Sequence, residues 1–143
     1  MTDTKKIRIL IADDFKVLRD IIRLHLERAG DMEVVDEAPD LDDAFERVRA
    51  LGPDVIIMND YLPPMNSAHA TALFRQKGIT SPILAITMKI EPDVVQHAIR
   101  HGVNGFMHKD EMGEHLIEAI RLIQRGERFL SPKVRESYGN IPK

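Results

Sequence analysis

Short apolar runs alternate with amphipathic stretches along this chain, and that alternation limits the possible folds more than any other feature. The five runs cover residues 7–12, 33–37, 55–58, 83–87 and 105–108. Several are nearly continuous and rich in β-branched residues, which is typical of strands buried on both faces. The stretches between them place apolar residues three and four apart, which predicts helices. Strict alternation of strand and helix predicts a parallel sheet that is covered by helices on both faces.

The order of the predicted strands follows from the same pattern. Five strands and five helices suit a flavodoxin-like α/β fold of three layers, with a five-stranded parallel sheet in the order 2-1-3-4-5. A glycine stands where each helical stretch is expected to end, at Gly30, Gly52, Gly78, Gly102 and Gly126. The stretch 67–76 has the least regular helical pattern. In this fold the functional crevice lies outside the carboxyl ends of the first and third strands.

Length and composition fit one domain of this class. A chain of 143 residues is long enough for a single core, and a net charge of −3 gives no strong field for nucleic acid. The absence of cysteine, of a signal-peptide pattern and of a membrane-length apolar run predicts a cytoplasmic protein without a membrane partner. The periodic pattern decays after Gly126. We therefore predict a folded domain at residues 1–126 and a linker or tail at residues 127–143.

Polar side chains stand at the ends of the predicted strands. Asp13 and Asp14 follow the first, Asn59 ends the third, Thr87 ends the fourth and Lys109 follows the fifth. Adjacent carboxylates suit Mg²⁺, and a hydroxyl or ammonium group nearby suits phosphoryl oxygens. Each residue also has an ordinary alternative, namely a helix cap, a strand-forming threonine or a solvated lysine. The combination at one sheet edge favours a pocket for Mg²⁺ and a phosphoryl group.

These segments resemble the receiver domain of two-component response regulators. The matching stretches are Ile9-Leu-Ile-Ala-Asp13-Asp14, Pro53-Asp-Val-Ile-Ile-Met58 with Leu62-Pro63 behind it, Ala85-Ile-Thr87, and Gly102-Val-Asn-Gly-Phe-Met-His-Lys109. The resemblance covers about residues 5–126. It implies a CheY-like fold and a signalling protein that is not an enzyme and that receives a phosphoryl group from a histidine kinase.

The segment after Gly126 is similar to the linker of the NarL/FixJ (LuxR-type) subgroup. In that subgroup a helix-turn-helix DNA-binding domain follows the linker. The resemblance therefore implies a transcriptional regulator that contacts DNA only through a domain absent from this chain.

Metal ligands are also implied by the resemblance. Asp14 would bind Mg²⁺ directly and Asp13 through a water molecule. The backbone carbonyl of Tyr61 would complete the protein ligands, together with a weak contribution from Asn59. This set makes Mg²⁺ the expected cofactor, bound weakly if Asn59 replaces a carboxylate.

Phosphoryl binding and switching involve a second set of residues in the family. By resemblance Thr87 and Lys109 would hold the phosphoryl oxygens. Thr87 and Phe106 would form the switch that changes the surface of the fourth helix, fifth strand and fifth helix. Phe106 is equally well explained as an ordinary core aromatic residue if the switch is inactive.

Asn59 is the main departure from the family, because it stands on the phosphoacceptor position and an amide is no nucleophile there. Three explanations remain open: a natural pseudo-receiver, a substitution that locks the inactive state, or phosphorylation of Asp60 instead. The third is least favoured, since neighbouring strand residues point to opposite faces of a sheet. Further departures near the site are Met88, Pro64 and Ser67. Met88 is long enough to crowd access to the pocket.

Three functions compete on this basis. The first is a phosphotransfer receiver, against which Asn59 argues. The second is an atypical receiver that acts as a phosphorylation-independent module for protein interaction, with a homodimer through the first and fifth helices or the switch surface. The third is a metal-dependent enzyme on the same fold, which lacks an evident nucleophile.

Histidines raise the separate question of a transition-metal site. His97 and His101 lie four residues apart in a predicted helix, so they share one face. No third ligand is evident in the sequence, and the Glu of a zinc-protease motif is missing. We therefore expect solvated or capping histidines.

Overall fold

A computed structural model describes residues 5–138. The ends of the predicted domain (1–4) and of the predicted tail (139–143) lie outside the described residues. The strands are β1 (Ile7–Ala12), β2 (Met32–Ala38), β3 (Val55–Asn59), β4 (Tyr61–Leu62), β5 (Met65–Asn66), β6 (Ile83–Thr87), β7 (Gly105–His108) and β8 (Phe129–Leu130). The helices are α1 (Lys16–Ala29), α2 (Leu41–Leu51), α3 (Ser67–Gln76), α4 (Pro92–Arg100), α5 (Met112–Gln124) and α6 (Pro132–Tyr138). A short 3-10 helix, Lys109–Glu111, precedes α5.

The main sheet has six parallel strands in the order β2-β1-β3-β6-β7-β8. The prediction of an α/β sheet covered by helices is confirmed, but the predicted five strands in the order 2-1-3-4-5 are one strand short. The missing strand is β8, whose Phe129 pairs with Gly105 of β7. A Cβ at Gly105 would approach the Leu84 side chain to 2.8 Å and the Phe129 carbonyl oxygen to 3.3 Å, so glycine permits this close pairing. Two residues are too few to show the alternation that predicts a strand.

Helices cover the sheet on both faces, which gives the three predicted layers. One face packs the apolar sides of α1 and α5 against residues such as Ile9 and Ile57. The other packs α2 and α3 against residues such as Leu10 and Ile56. Alternate residues of β1 and β3 therefore enter opposite halves of the core, as the pleat of a strand requires.

Helix ends lie close to the positions expected from the sequence. Gly30 and Gly52 follow α1 and α2 with φ of 85° and 54°, a left-handed conformation that glycine adopts without strain. The irregular stretch 67–76 does form a helix. The side chain of Asn66 accepts a hydrogen bond from the backbone N–H of His69 and caps α3, and Ala70 and Phe74 are buried in the core. None of the helices in the described range has the length and apolar character needed to span a bilayer.

Residues after Gly126 continue the fold. The backbone N–H of Ser131 donates to the carbonyl of Phe106 (3.1 Å), and the N–H of Lys133 donates to Oε2 of Glu111 (3.0 Å). Val134 of α6 is fully buried in one cluster with Phe106 and α4. Part of the segment predicted to be a linker or tail thus contributes one strand and one helix to the folded unit.

Candidate functional site

A shallow pocket of about 350 Å³ opens at the carboxyl ends of β1, β3 and β6. Most of the predicted site residues line it, namely Asp13, Asn59, Tyr61, Thr87 and Lys109, together with Phe15, Leu18, Asp60, Met88 and Lys89. The parallel register explains this meeting, because neighbouring parallel strands end at one edge of the sheet. The pairing of Asn59 with Ile86 places the end of β3 beside the end of β6. The predicted residues Asp14 and Phe106 are not in the lining.

The two adjacent acids occupy different environments. Asp13 is buried and its Oδ1 accepts a hydrogen bond from the backbone N–H of Phe15 (2.8 Å), whereas Asp14 is exposed. Burial raises the pKa of Asp13, and the charge of Asp14 adds to this rise. The Phe15 hydrogen bond and the charges of Lys109 and Arg19 oppose it. Asp13 therefore organises the turn before α1, but the helix-capping alternative is not realised, since α1 begins after Phe15 with no side-chain cap and no acid in its first turn.

Thr87 is held at the pocket by hydrogen bonds to Lys89 and Asp60. Its hydroxyl lies 2.9 Å from the carbonyl of Lys89 and 3.3 Å from Oδ2 of Asp60, and it accepts from the N–H of Lys89 (3.1 Å). Asp60 also accepts a hydrogen bond from the hydroxyl of Ser67 (2.8 Å). Burial raises the pKa of Asp60 despite these bonds from Ser67 and Thr87. Asp60 thus acts as a half-buried acceptor, a role that sequence reasoning missed.

Lys109 approaches the pocket from the end of β7. Its Nζ stands 6.0 Å from the centroid of the Phe15 ring, which is 57% exposed. The positive charge lowers the pKa of Asp13, so the two groups interact through space. An ammonium group at this edge offsets the negative charge of the acids.

His108 lies next to the pocket lining, where its position beside Lys109 suggests an influence on the site. Its Nε2 lies 2.9 Å from the carbonyl of Met88, and its Nδ1 lies 3.0 Å from the backbone N–H of Asp110. With these partners, Nε2 donates to the Met88 carbonyl and Nδ1 accepts from the Asp110 N–H. The ring thereby ties the loop after β6 to the end of β7. Its position beside Lys109 was the only signal in the sequence.

Phe106 lies beneath the site rather than in it. The ring is buried, with 1% exposure, among residues of α4 and α6 such as Ala98 and Val134. In the register of β6 and β7, Phe106 faces Ala85 and His108 faces Thr87. Thr87 and Phe106, the proposed switch pair, therefore lie two residues apart along the direction of the strands.

Oxygen donors around the pocket are of the kind that Mg²⁺ prefers. They comprise the carboxylates of Asp13 and Asp14, the amide oxygen of Asn59 and the carbonyl of Tyr61. Within residues 5–138, no group of three or more acidic or histidine side chains is arranged to hold a metal ion. The donors therefore fit Mg²⁺ in type.

Comparison with known proteins identifies this arrangement. The family model described as "Response regulator receiver domain" matches residues 9–121. The chain belongs to this family. The matched range contains the carboxyl ends of all the strands that form the pocket.

Curated relatives of this receiver domain include transcriptional regulators. The oxygen regulatory protein NreC of Staphylococcus carnosus is 36% identical over 134 residues, which cover 93% of this chain and 62% of the relative. The transcriptional regulatory protein DegU of Brevibacillus brevis is 30% identical over 129 residues, 90% of this chain and 55% of the relative. The chain thus spans less than two thirds of the length of these relatives.

Solved structures confirm the CheY-like receiver fold and the NarL/LuxR type. A LuxR-family response regulator from an Aurantimonas species superposes with a TM-score of 0.88 at 30% identity, covering 93% of this chain and 95% of that chain. The receiver domain of the putative response regulator NarL from Mycobacterium tuberculosis gives 0.82 at 29% identity, covering 86% and 99%.

Proposed function

We propose that this receiver domain is the input domain of a cytoplasmic two-component transcriptional regulator and that Asn59 occupies its phosphoacceptor position. NreC and DegU are named as regulatory proteins, which supports a role in transcription. Both are longer than this chain, which supports a separate DNA-binding domain beyond the receiver. Residues 1–126 would be the main body of the receiver, and residues 127–143, which add β8 and α6 to it, would lead to that domain.

One observation carries the proposed loss of phosphorylation. Asn59 is the last residue of β3 and lines the pocket with Asp13, Thr87 and Lys109. A carboxylate at that point would attack phosphorus, but an amide has no anionic oxygen with which to form the acyl phosphate. The pocket thus keeps the surrounding groups and lacks the nucleophile.

Asp60 is a poor substitute for the missing nucleophile. Its carboxylate accepts hydrogen bonds from Ser67 and Thr87, and its backbone N–H donates to Ile86 (2.8 Å). An attack from Asp60 would leave both hydroxyl groups without this acceptor. These contacts support loss of phosphorylation over transfer to the next residue.

Mg²⁺ binding is proposed to persist at reduced strength. Asp14 would be the direct ligand, Asp13 would act through water, and the Tyr61 carbonyl and Asn59 would complete the protein ligands. When bound, the ion would neutralise anionic oxygens in the pocket. Thr87 and Lys109 would orient a phosphoryl group or an anionic analogue there, and Thr87 with Phe106 would transmit its presence.

A second candidate is a pseudo-receiver that works through protein contacts alone. An apolar stripe on and just before α1 favours it: Phe15, Val17, Ile21 and Leu24 are 57%, 56%, 42% and 58% exposed. The spacing of Val17, Ile21 and Leu24 puts them on one helical face. Exposed apolar groups of this kind mark interaction surfaces. The partner would be a histidine kinase, another protein or a second copy of the chain.

Acetyl phosphate with Mg²⁺ tests the main proposal. Intact mass and peptide mapping are compared for the wild-type protein, Asn59→Asp and the double variant Asn59→Asp/Asp60→Ala. We expect no adduct on the wild type and an adduct at position 59 in both variants. An untreated sample controls for deamidation of Asn59.

The alternative outcomes are distinct. An adduct on Asp60 of the wild type would contradict the proposal and make Asp60 the acceptor. An adduct at an intact Asn59 would contradict the chemistry itself. If Asn59→Asp also stays unmodified, the pocket has lost more than its nucleophile and the interaction module becomes the preferred function.

A further inference from the structure

Three histidines from two helices meet on the surface of the packed pair α3 and α4. His69 belongs to the first turn of α3, and His97 and His101 stand at the end of α4. The ring centroids are 4.3 Å apart for His97 and His101, 5.6 Å for His69 and His97, and 6.4 Å for His69 and His101. The third ligand that was not evident in the sequence is thus His69, which lies on the neighbouring helix α3.

Spacing of the rings suits a shared metal ion. With metal–nitrogen bonds of about 2.0–2.1 Å and tetrahedral angles, the centroids of three ligating imidazoles lie about 5 Å apart. The observed distances of 4.3–6.4 Å bracket that value. As they stand, the rings meet edge to face and no ready cluster of three ligating side chains exists within residues 5–138. Rotation of the His69 and His97 side chains about their torsions would be needed to turn their nitrogens toward the His101 ring.

A backbone hydrogen bond gives an independent reason to regard His101 as a ligand. Its Nδ1 lies 2.8 Å from the carbonyl oxygen of His97. An Nδ1–H that donates to a carbonyl leaves the lone pair on Nε2, and metal-bound histidines commonly have their second nitrogen held in this way. His101 is therefore already in the tautomer that can bind a metal through Nε2.

We propose that His69, His97 and His101 form a site for a borderline first-row transition ion, represented by Zn²⁺, that links α3 to α4. Three imidazoles select such ions over Mg²⁺, which prefers oxygen. The site is distinct from the pocket at the strand ends. This inference does not depend on whether position 59 accepts a phosphoryl group.

The positions of α3 and α4 in the fold mean that a bound ion would affect the structure. The helix α3 begins at Ser67, which binds Asp60, and α4 packs Val95 and Ala98 in the cluster that contains Phe106. A metal bridge would fix these two helices against each other. Binding to the folded state alone raises the melting temperature.

The test uses metal alone as the probe. Co²⁺ is titrated into the protein while its visible absorption is recorded, and Zn²⁺ is then added in competition. The proteins are the wild type, the single variants His69→Ala, His97→Ala and His101→Ala, and the control His25→Ala. His25 suits this purpose because its Nδ1 also lies near the carbonyl four residues earlier, at 3.3 Å from Ile21.

We expect each cluster variant to lose at least about tenfold in affinity, and the control to match the wild type. Excess Mg²⁺ should not displace Zn²⁺. Circular dichroism without metal checks that each variant is folded. If His69→Ala binds as tightly as the wild type, the ion uses only the pair on α4 and the bridge between helices is wrong. Absence of saturable binding in the wild type would overturn the whole proposal.

Discussion

Asn59 and Asp60 are neighbours in the chain but have different surroundings. Asn59 ends β3 in the pocket with Asp13, whereas the carboxylate of Asp60 accepts hydrogen bonds from Ser67 and Thr87. Both side chains line the pocket, because β3 ends at Asn59 and the pleat of the strand therefore does not direct Asp60 to the opposite face, contrary to the expectation from the sequence. The contacts of each side chain decide what it can do in the pocket.

The role of Asp60 as an acceptor leads to a prediction at the residue scale. Replacing Asp60 with Ala leaves the hydroxyls of Ser67 and Thr87 without this acceptor. It should lower the free energy of unfolding by about 1–3 kcal/mol. Asp60→Asn keeps an oxygen and should cost less. Urea unfolding measures both, and an Ala variant as stable as the wild type would show that the bonds contribute nothing net.

At the scale of elements, β2 and α1 are joined by a charged cluster. Glu37 of β2 accepts hydrogen bonds from Nε of Arg19 (2.8 Å) and from Nε of Arg23 (2.9 Å). Burial raises the pKa of Glu37, but the bonds and charges of the two arginines outweigh it, so the pKa lies below its ordinary value of 4.5. The charged form is therefore stabilised more in the folded protein than in the unfolded chain.

This lowered pKa predicts a pH dependence. The stability that Glu37 contributes should be fully present above about pH 5 and lost as the pH falls through the lowered pKa, because the unfolded chain binds the proton more tightly. Urea unfolding of the wild type and Glu37→Gln should therefore give a difference that shrinks on acidification below the ordinary value of 4.5. Glu33→Gln, at an exposed site on β2, is the control. A difference independent of pH would contradict the assignment.

The contact of α6 with the domain gives a second prediction for elements. Val134 of α6 is fully buried in the cluster that contains Phe106. Val134→Ala removes buried methyl groups and should lower the free energy of unfolding by about 1–3 kcal/mol. Glu136→Ala, at an exposed position on α6, should cost much less. Urea unfolding distinguishes them. Equal stability of the two variants would mean that α6 does not pack on the domain in solution.

At the scale of the whole molecule, the exposed stripe on α1 suggests association. We expect concentration-dependent self-association in sedimentation equilibrium, because Ile21 and Leu24 expose apolar surface on one helical face. Leu24→Lys should weaken it without loss of stability, since the side chain is 58% exposed. Lys16→Ala, at an exposed site at the start of α1, is the control. A wild-type protein that stays monomeric at high concentration would assign the stripe to a different partner.

The sequence determined the alternation of strand and helix, the sheet edge where the polar residues gather and the family. These features follow from local periodicity and from the right-handed, parallel connection of successive strands. Only the tertiary structure revealed β8, because its two residues gain their place from Gly105 rather than from a pattern of their own.

The same holds for contacts between distant residues. The role of Asp60 depends on Thr87, and the cluster at α4 depends on His69 of α3; sequence spacing encodes neither contact. The physical reason is that hydrophobic periodicity specifies which face of an element is buried, whereas the packing of one element on another decides which polar side chains meet.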